Sequence, residues 1–341
     1  MSRAARLNVP HGRYFVIDEF RASEVLVGAP GRLHTEAQLR ELAAHRAQYE
    51  ALLSYTVARW CARVHTHCWL PRCALLEVQI GWAPLERVMH SVRAPFSRYF
   101  RATTGSSDPL YAGRYKAWLL EPGCVLDLRR DICWRPVRAG LCRHPTEYPH
   151  MTNYCAVNGA VPPFLAKSDV LAWLQQRQHH PRGQLLELLS TAPSPEFASI
   201  ASGSPHDRRI IGHTGFVRKV HREQRPSPPA VDLDTVTAWS QRTLANRVSA
   251  LPCTPGSTQN LSQALAAWLA SCTGGASVSA VASRLPHLDR SRLERAIARY
   301  LQVIPDLFSE RTLRRFVDDT WSRRTTPHTG APTSPASTQG L

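Results

Sequence analysis

Apolar and polar positions alternate along Arg13–Phe20 (RYFVIDEF), the two-residue period of a half-buried strand. The run Arg59–Leu70 (RWCARVHTHCWL) reads as a second strand, Pro71-Arg72 as a turn, and Cys73–Ile80 (CALLEVQI) as a third strand. Between the first two, Glu36–Tyr55 has helical spacing, with Leu39, Leu42, Tyr49 and Leu52 on one side. Pro84–Thr103 reads as a second helix that buries Leu85, Val88, Val92, Phe96 and Phe100. Arg114–Leu120 is basic, then apolar, as a fourth strand would be, and Glu121-Pro122-Gly123 is a turn by composition. From Val125 the positions Val125, Leu128, Ile132 and Trp134 predict a third helix, which Pro136 should end or kink, leaving Arg138 just beyond it. The order β-α-β-β-α-β-α predicts an α+β fold with a ferredoxin-like antiparallel sheet.

The texture changes after Tyr154. Short helices are expected at 167–178 and 184–189, and Thr191–His206 is rich enough in Pro, Ser and Ala to read as a linker. Arg225–Ala230 reads as a second linker. Further helices are expected at Asp232–Arg247, Leu261–Ser271, Ser277–Arg284 and Asp289–Leu301, the last with Asp289 as N-cap. A short turn before the final helix suggests an all-α, helix-turn-helix-like C-terminal domain, with Arg290, Arg292 and Arg295 facing DNA. The division this predicts is 1–160, 161–230 (helical extension and linkers), 231–322 (helical domain) and 323–341, a Ser/Thr/Pro-rich tail expected to be disordered.

Charge narrows the partner. The 341 residues carry a formal net charge of +16, which fits a polyanion. Nearly all of it is arginine, whose fork matches phosphate; the lysines are Lys116, Lys167 and Lys219. Nine cysteines form no C-x-x-C pair, which argues against a zinc ribbon and for free thiols in a reducing cytoplasm. No apolar run reaches membrane-spanning length.

Three short signatures occur in order: Gly113–Leu120 (GRYKAWLL), Pro136–Leu141 (PVRAGL) and Glu147-Tyr148-Pro149. With them the chain resembles the REP-associated tyrosine transposases, single-tyrosine HUH transposases of bacterial insertion sequences. Arg209–Val220 (RIIGHTGFVRKV) resembles a segment that family carries after its catalytic domain. The resemblance implies the ferredoxin-like sheet, a DNA partner in hairpin or single-stranded form, and a nucleoid-associated, cytoplasmic setting. The family's dimeric habit makes a homodimer a second candidate partner.

The resemblance also implies a site. In the family a His-hydrophobic-His pair on the third strand holds a divalent metal, which polarises the phosphate. A tyrosine on the last helix attacks it and stays attached to the 5′ end. A polar residue one turn later completes the metal shell. Carried over one at a time, the histidine positions are Cys73 and Leu75, the tyrosine is Asp131, and the third ligand position is Arg135. All four have changed, so no intact catalytic residue, no metal ligand and no cofactor is expected; a working transposase would need Mg²⁺ or Mn²⁺ and other residues. His65 and His67 lie two apart, which would put both on one face of the second strand, but that strand is not the family's. Asp131 and Arg135, four apart, are placed to pair on one helix face.

The basic residues around the site remain. Arg98, Arg101, Arg114, Lys116, Arg129, Arg130 and Arg138 are expected to line a groove, with Tyr111, Tyr115 or Trp118 stacking bases. The reading that follows is a transposase-like DNA-binding protein that has lost strand cleavage. Its rivals are an active transposase using unrecognised residues and a decaying reading frame; the apolar patterning kept over the whole length speaks against the latter.

Overall fold

The computed structural model of the chain describes residues 7–21, 36–150, 162–166, 191–222, 232–246, 255–273, 276–285 and 289–325. The helices expected at 167–178 and 184–189, the linker at 225–230 and the tail beyond 325 lie outside the described residues. The chain divides into two compact units, Met1–Ser227 and Pro228–Leu341. Among the described residues, no helix is long and apolar enough to cross a membrane.

The first unit is built on a sheet. Its elements are β1 (Arg13–Glu19), α1 (Glu36–Trp60), β2 (Arg63–Leu70), β3 (Cys73–Gln79), α2 (Leu85–Thr104), β4 (Lys116–Leu120), α3 (Val125–Arg138), α4 (Pro195–Ile200), β5 (Ile210–Ile211) and α5 (Thr214–Arg222). The strand order is β2-β3-β1-β4-β5. The first four strands pair antiparallel, and β5 joins β4 in parallel. Successive residues on β1 point to opposite sides, which gives the sheet two distinct faces. On one, Phe20, just past β1, meets Tyr49 of α1 and Phe96 of α2 at ring-centroid distances of 6.4 and 6.3 Å. On the other, Phe15, Ile17, Cys68, Leu70 and Leu75 form one cluster with Leu128, Ile132 and Cys133 of α3. Burying a side chain the size of Leu128 or Ile132 stabilises by about 1.5–3 kcal/mol.

Among the described residues the expected strands β1–β4 and helices α1–α3 are present, with shifted edges that have local causes. Helix α1 runs on through Arg59 and Trp60, so β2 opens only at Arg63. Trp60 donates its Nε1–H to Ser91 Oγ of α2 at 2.7 Å and is covered by the Arg59 guanidinium, 4.4 Å from the ring. The turn then closes at Cys61, which takes the left-handed conformation (φ 48°). The buried stripe of α1 is His45, Tyr49, Leu53, Thr56 and Trp60, while Leu42 and Leu52 are only half-buried. Pro136 does not end α3: it sits buried in the last turn, Arg138 is the final helical residue, and Gly140 closes the helix at φ 71°.

Part of the expected linker is folded. Within 191–206, Ser194 caps α4 by accepting the Phe197 N–H at 3.1 Å, and Phe197 and Ile200 pack into the α3 cluster. Asp127 of α3 reaches back to the Ser194 hydroxyl (2.9 Å) and N–H (3.1 Å).

Among its described residues the second unit is helical: α6 (Leu233–Ala245), α7 (Pro255–Cys272), α8 (Val278–Ala282), α9 (Arg290–Val303) and α10 (Glu310–Thr325). Asp232, Ser277 and Asp289 each cap their helix with a side-chain oxygen, Asp289 accepting the Arg292 N–H at 2.7 Å. Trp268 and Phe308 pack 5.4 Å apart, and Trp239 packs on Phe316 while donating to Asp319 at 2.9 Å. Helix α10 was not expected; it buries Leu313, Phe316 and Val317 and reaches Thr325, past the point where the tail composition begins.

Candidate nucleic-acid interface

Strand period places Cys73, Leu75, Glu77 and Gln79 on the sheet face covered by α3. The positions that the family resemblance assigns to the metal pair therefore do point at the helix carrying Asp131 and Arg135. The chemistry between them is different. Leu75 is fully buried among apolar side chains and offers no donor. Burial pushes the Cys73 thiol up to about 11, with the Arg135 guanidinium opposing. Burial and the neighbouring Cys133 and Cys73 push the Cys68 thiol well above its ordinary value.

Asp131 is clamped. Arg135 donates Nε–H to its Oδ2 at 2.9 Å, and Arg138 donates to its Oδ1 at 2.5 Å and to its backbone oxygen at 2.9 Å. The Arg135 guanidinium carbon lies 5.3 Å from the Phe15 ring centroid. Two guanidinium groups on one carboxylate leave a net positive charge at the surface. These residues do not fit a divalent cation: one family position is hydrocarbon, another is itself cationic, and the carboxylate is already committed. They also supply no phenol, and no step of phosphoryl transfer is assigned to them.

The His65/His67 pair comes apart. A β-bulge between Val64 and Thr66 inserts one extra residue and breaks the period-two relation. His65 turns to the α3 side, with Nε2 3.0 Å from Gln79 Oε1. His67 turns to the α1 side, stacked on Tyr49 at 6.3 Å and edge-on to Phe164 at 5.5 Å. Burial, then Arg46 and His150, push the His67 imidazole down to about 3, so it is neutral. The two rings cannot share an ion from opposite faces.

The expected single groove also divides. Arg98 and Arg101 are exposed on α2, on the sheet face opposite Arg130 and Arg138 of α3. Arg129 is a core residue: it donates to both oxygens of buried Glu77 at 2.7 and 3.0 Å. Arg13 (3.3 Å) and the Thr66 hydroxyl (3.1 Å) complete the set around Glu77. Burial alone would raise that carboxyl, but Arg129 outweighs it and holds Glu77 below the usual range. Arg130 pairs with Asp127 at 3.2 Å. Tyr111 and Tyr115 are not stacking platforms either. They lie 4.0 and 5.7 Å from the Arg93 guanidinium, which forms an ion pair with buried Asp18 at 2.9 Å. Burial raises Asp18 to about 7 despite Arg93 and the Tyr49 hydroxyl.

What the fold does assemble is a cleft of about 810 Å³ beside β4, lined by Arg114, Lys116, Trp118, Arg208 and Arg209, among others. Lys116 and Trp118 share a face of β4; Lys116 pairs with Glu19 at 2.6 Å and Trp118 stacks on Phe15 at 5.5 Å. Arg114 is exposed. Arg209 is held by Asp207 (Nη2–Oδ2 2.7 Å), and that pairing draws the Asp207 carboxyl down to about 2. Its backbone oxygen accepts the Leu119 N–H at 2.8 Å, which fixes the segment against the sheet. Arg208 and Arg209 were not among the expected contacts; the only signal was the resemblance of the stretch that Arg209 opens. In the second unit Arg290, Arg292 and Arg295 are all exposed on α9, and Arg292 lies 3.8 Å from Asp289.

No family model matches the chain. No curated protein matches it. Among solved structures, a REP-associated tyrosine transposase bound to a REP hairpin is similar at 14% identity and a TM-score of 0.36, over 49% of this chain and 92% of that one.

Proposed function

We propose that the protein is a transposase-like DNA-binding protein that takes hairpin or single-stranded DNA and does not cut it. One observation carries this reading: the pocket that the sequence resemblance assigns to metal and tyrosine is closed by Leu75 and by the Asp131–Arg135–Arg138 ion cluster, while cationic side chains flank it. A guanidinium such as Arg138, half exposed, can meet a phosphate oxygen without activating the phosphorus. The strand order β2-β3-β1-β4 with antiparallel neighbours supports a ferredoxin-like plan. The caps on α8 and α9 and the exposed arginines of α9 support a helix-turn-helix reading of the second unit. On this reading Arg114, Lys116, Arg130 and Arg138 contact DNA from the first unit, Arg98 and Arg101 from its other face, and Arg290 and Arg292 from the second unit.

The test is incubation of the full chain with end-labelled, hairpin-bearing single-stranded DNA with and without Mn²⁺. The expected outcome is a complex that weakens steeply with salt, and DNA of unchanged length on a denaturing gel. A covalent 5′ adduct or a metal-dependent nick would overturn the loss of cleavage. Equal affinity for hairpin, single-stranded and fully duplex DNA would overturn the choice of partner.

A further inference from the structure

At the N-terminal end of α3, about two turns before Asp131, three ligand-type side chains meet. They are Glu121 in the turn after β4, Cys124 just before α3, and His213 just before α5. His213 Nδ1 lies 3.0 Å from Glu121 Oε2, and Cys124 Sγ lies 3.9 Å from the same oxygen. Their ligand atoms all fall within 4.8 Å of one another. We propose that Glu121, Cys124 and His213 form a Zn²⁺ site that staples the start of α3 to the segment opening α5.

The geometry suits that ion. Tetrahedral Zn²⁺ with ordinary bond lengths holds its S, N and O ligands about 3.4–3.7 Å apart. The two separations to Glu121 bracket that range, and the Cys124 and His213 ligand atoms lie within 4.8 Å of each other. A thiolate, an imidazole and a carboxylate together favour zinc over magnesium or calcium. The fourth position opens to solvent, because the His213 side chain is 65% exposed.

The arrangement is built closely. The His213 backbone N–H donates to Glu121 Oε2 at 2.7 Å, so the chain itself delivers the histidine. Gly212 makes room for the acid: a Cβ there would lie 2.9 Å from Glu121 Cβ and 3.0 Å from its Oε2. The strand pair behind it is fixed by Glu121 N–H donating to Ile211 O at 2.9 Å. Cys124 is 3% exposed. Binding exchanges its S–H bond for a Zn–S bond, and the proton leaves to solvent. The site owes nothing to the family's metal position, which lies about 10 Å further along the helix by its rise per residue.

The test is titration of the full, reduced chain with Co²⁺, followed by Zn²⁺ competition. The expected result is a thiolate-to-cobalt charge-transfer band at one equivalent, displaced by Zn²⁺. His213→Ala and Cys124→Ser should each weaken binding by at least about tenfold, whereas Cys61→Ser should leave it unchanged. His213 is exposed, so its variant folds whether or not Cys124→Ser does. No band, or a band that survives His213→Ala, would overturn the site.

Discussion

The two ends of α3 have gone opposite ways. From Asp131 toward the C-terminal end, where the sequence resemblance puts a metal and a nucleophile, the corresponding positions hold a leucine, a cysteine and an arginine, and the one carboxylate is paired with Arg135 and Arg138. At the N-terminal end, Glu121, Cys124 and His213 converge with Gly212 cleared to admit them. Between the ends, Arg129 bonds both oxygens of Glu77 and pins the helix to β3. The contrast shows that the helix keeps its place through a buried ion pair and an apolar cluster, and neither depends on the residues at the two sites.

Cutting that pin gives the largest expected effect. Arg129→Met leaves the Glu77 carboxylate buried against an apolar neighbour, a change that destabilises by about 3–5 kcal/mol. Its pH dependence has a definite sign. Glu77 titrates below its ordinary value in the folded chain, so its contribution is present above that value and is lost as pH falls through the folded pKa. Urea denaturation across acid pH should show the gap between wild type and Arg129→Met narrowing as Glu77 protonates. A gap that is constant with pH would mean that Arg129 acts through packing alone.

Next in size is Leu75→His, which places a histidine where the sequence resemblance expects one. Leu75 has no exposed surface and apolar neighbours, so an imidazole there costs about 2–3 kcal/mol in unmet hydrogen bonds. Thermal melts should show the loss, and added Mn²⁺ should not recover it. Recovery by Mn²⁺ would mean that the pocket still has room and donors for an ion, and the contrast between the two ends would fail.

Much of this was legible in the chain, and the rest was hidden for identifiable reasons. The β-α-β-β-α-β order and the buried stripe of α2 follow from periodicity, because Leu85, Val88, Val92, Phe96 and Phe100 do what their spacing says. The His65/His67 pair misled because period two fails at a bulge, and nothing in RVHTHCWL marks one. The α4 turn was masked by its Pro- and Ser-rich setting, although Ser194-Pro195-Glu196 is a helix start. Helix α10 was legible and overlooked: Leu313, Phe316 and Val317 have helical spacing within a charge-dense stretch. At the site, that Cys73, Leu75, Asp131 and Arg135 stand at the positions the resemblance assigns to the chemistry could be read directly. Which arginines remain at the surface could not, since Arg129 and Arg130 are adjacent and only the fold sends the first inward.

The smallest effect bears most directly on DNA. Arg138 is half exposed and Arg135 about a quarter, so the pairs they make with Asp131 contribute only about 0–1 kcal/mol to stability. Substitutions here should therefore move binding without moving the melt. Asp131→Asn removes the negative charge and releases both guanidinium groups; affinity for hairpin-bearing single-stranded DNA should rise by roughly two- to fivefold, the scale of one exposed ion pair. Arg138→Gln should weaken binding uniformly across sequences and reduce the slope of log K against log salt by about 1. The paired result is diagnostic, because both variants disturb one cluster while changing net charge in opposite directions. If Arg138→Gln leaves the slope untouched, no phosphate passes this end of α3, and the ion cluster only ties the helix to itself and holds nothing.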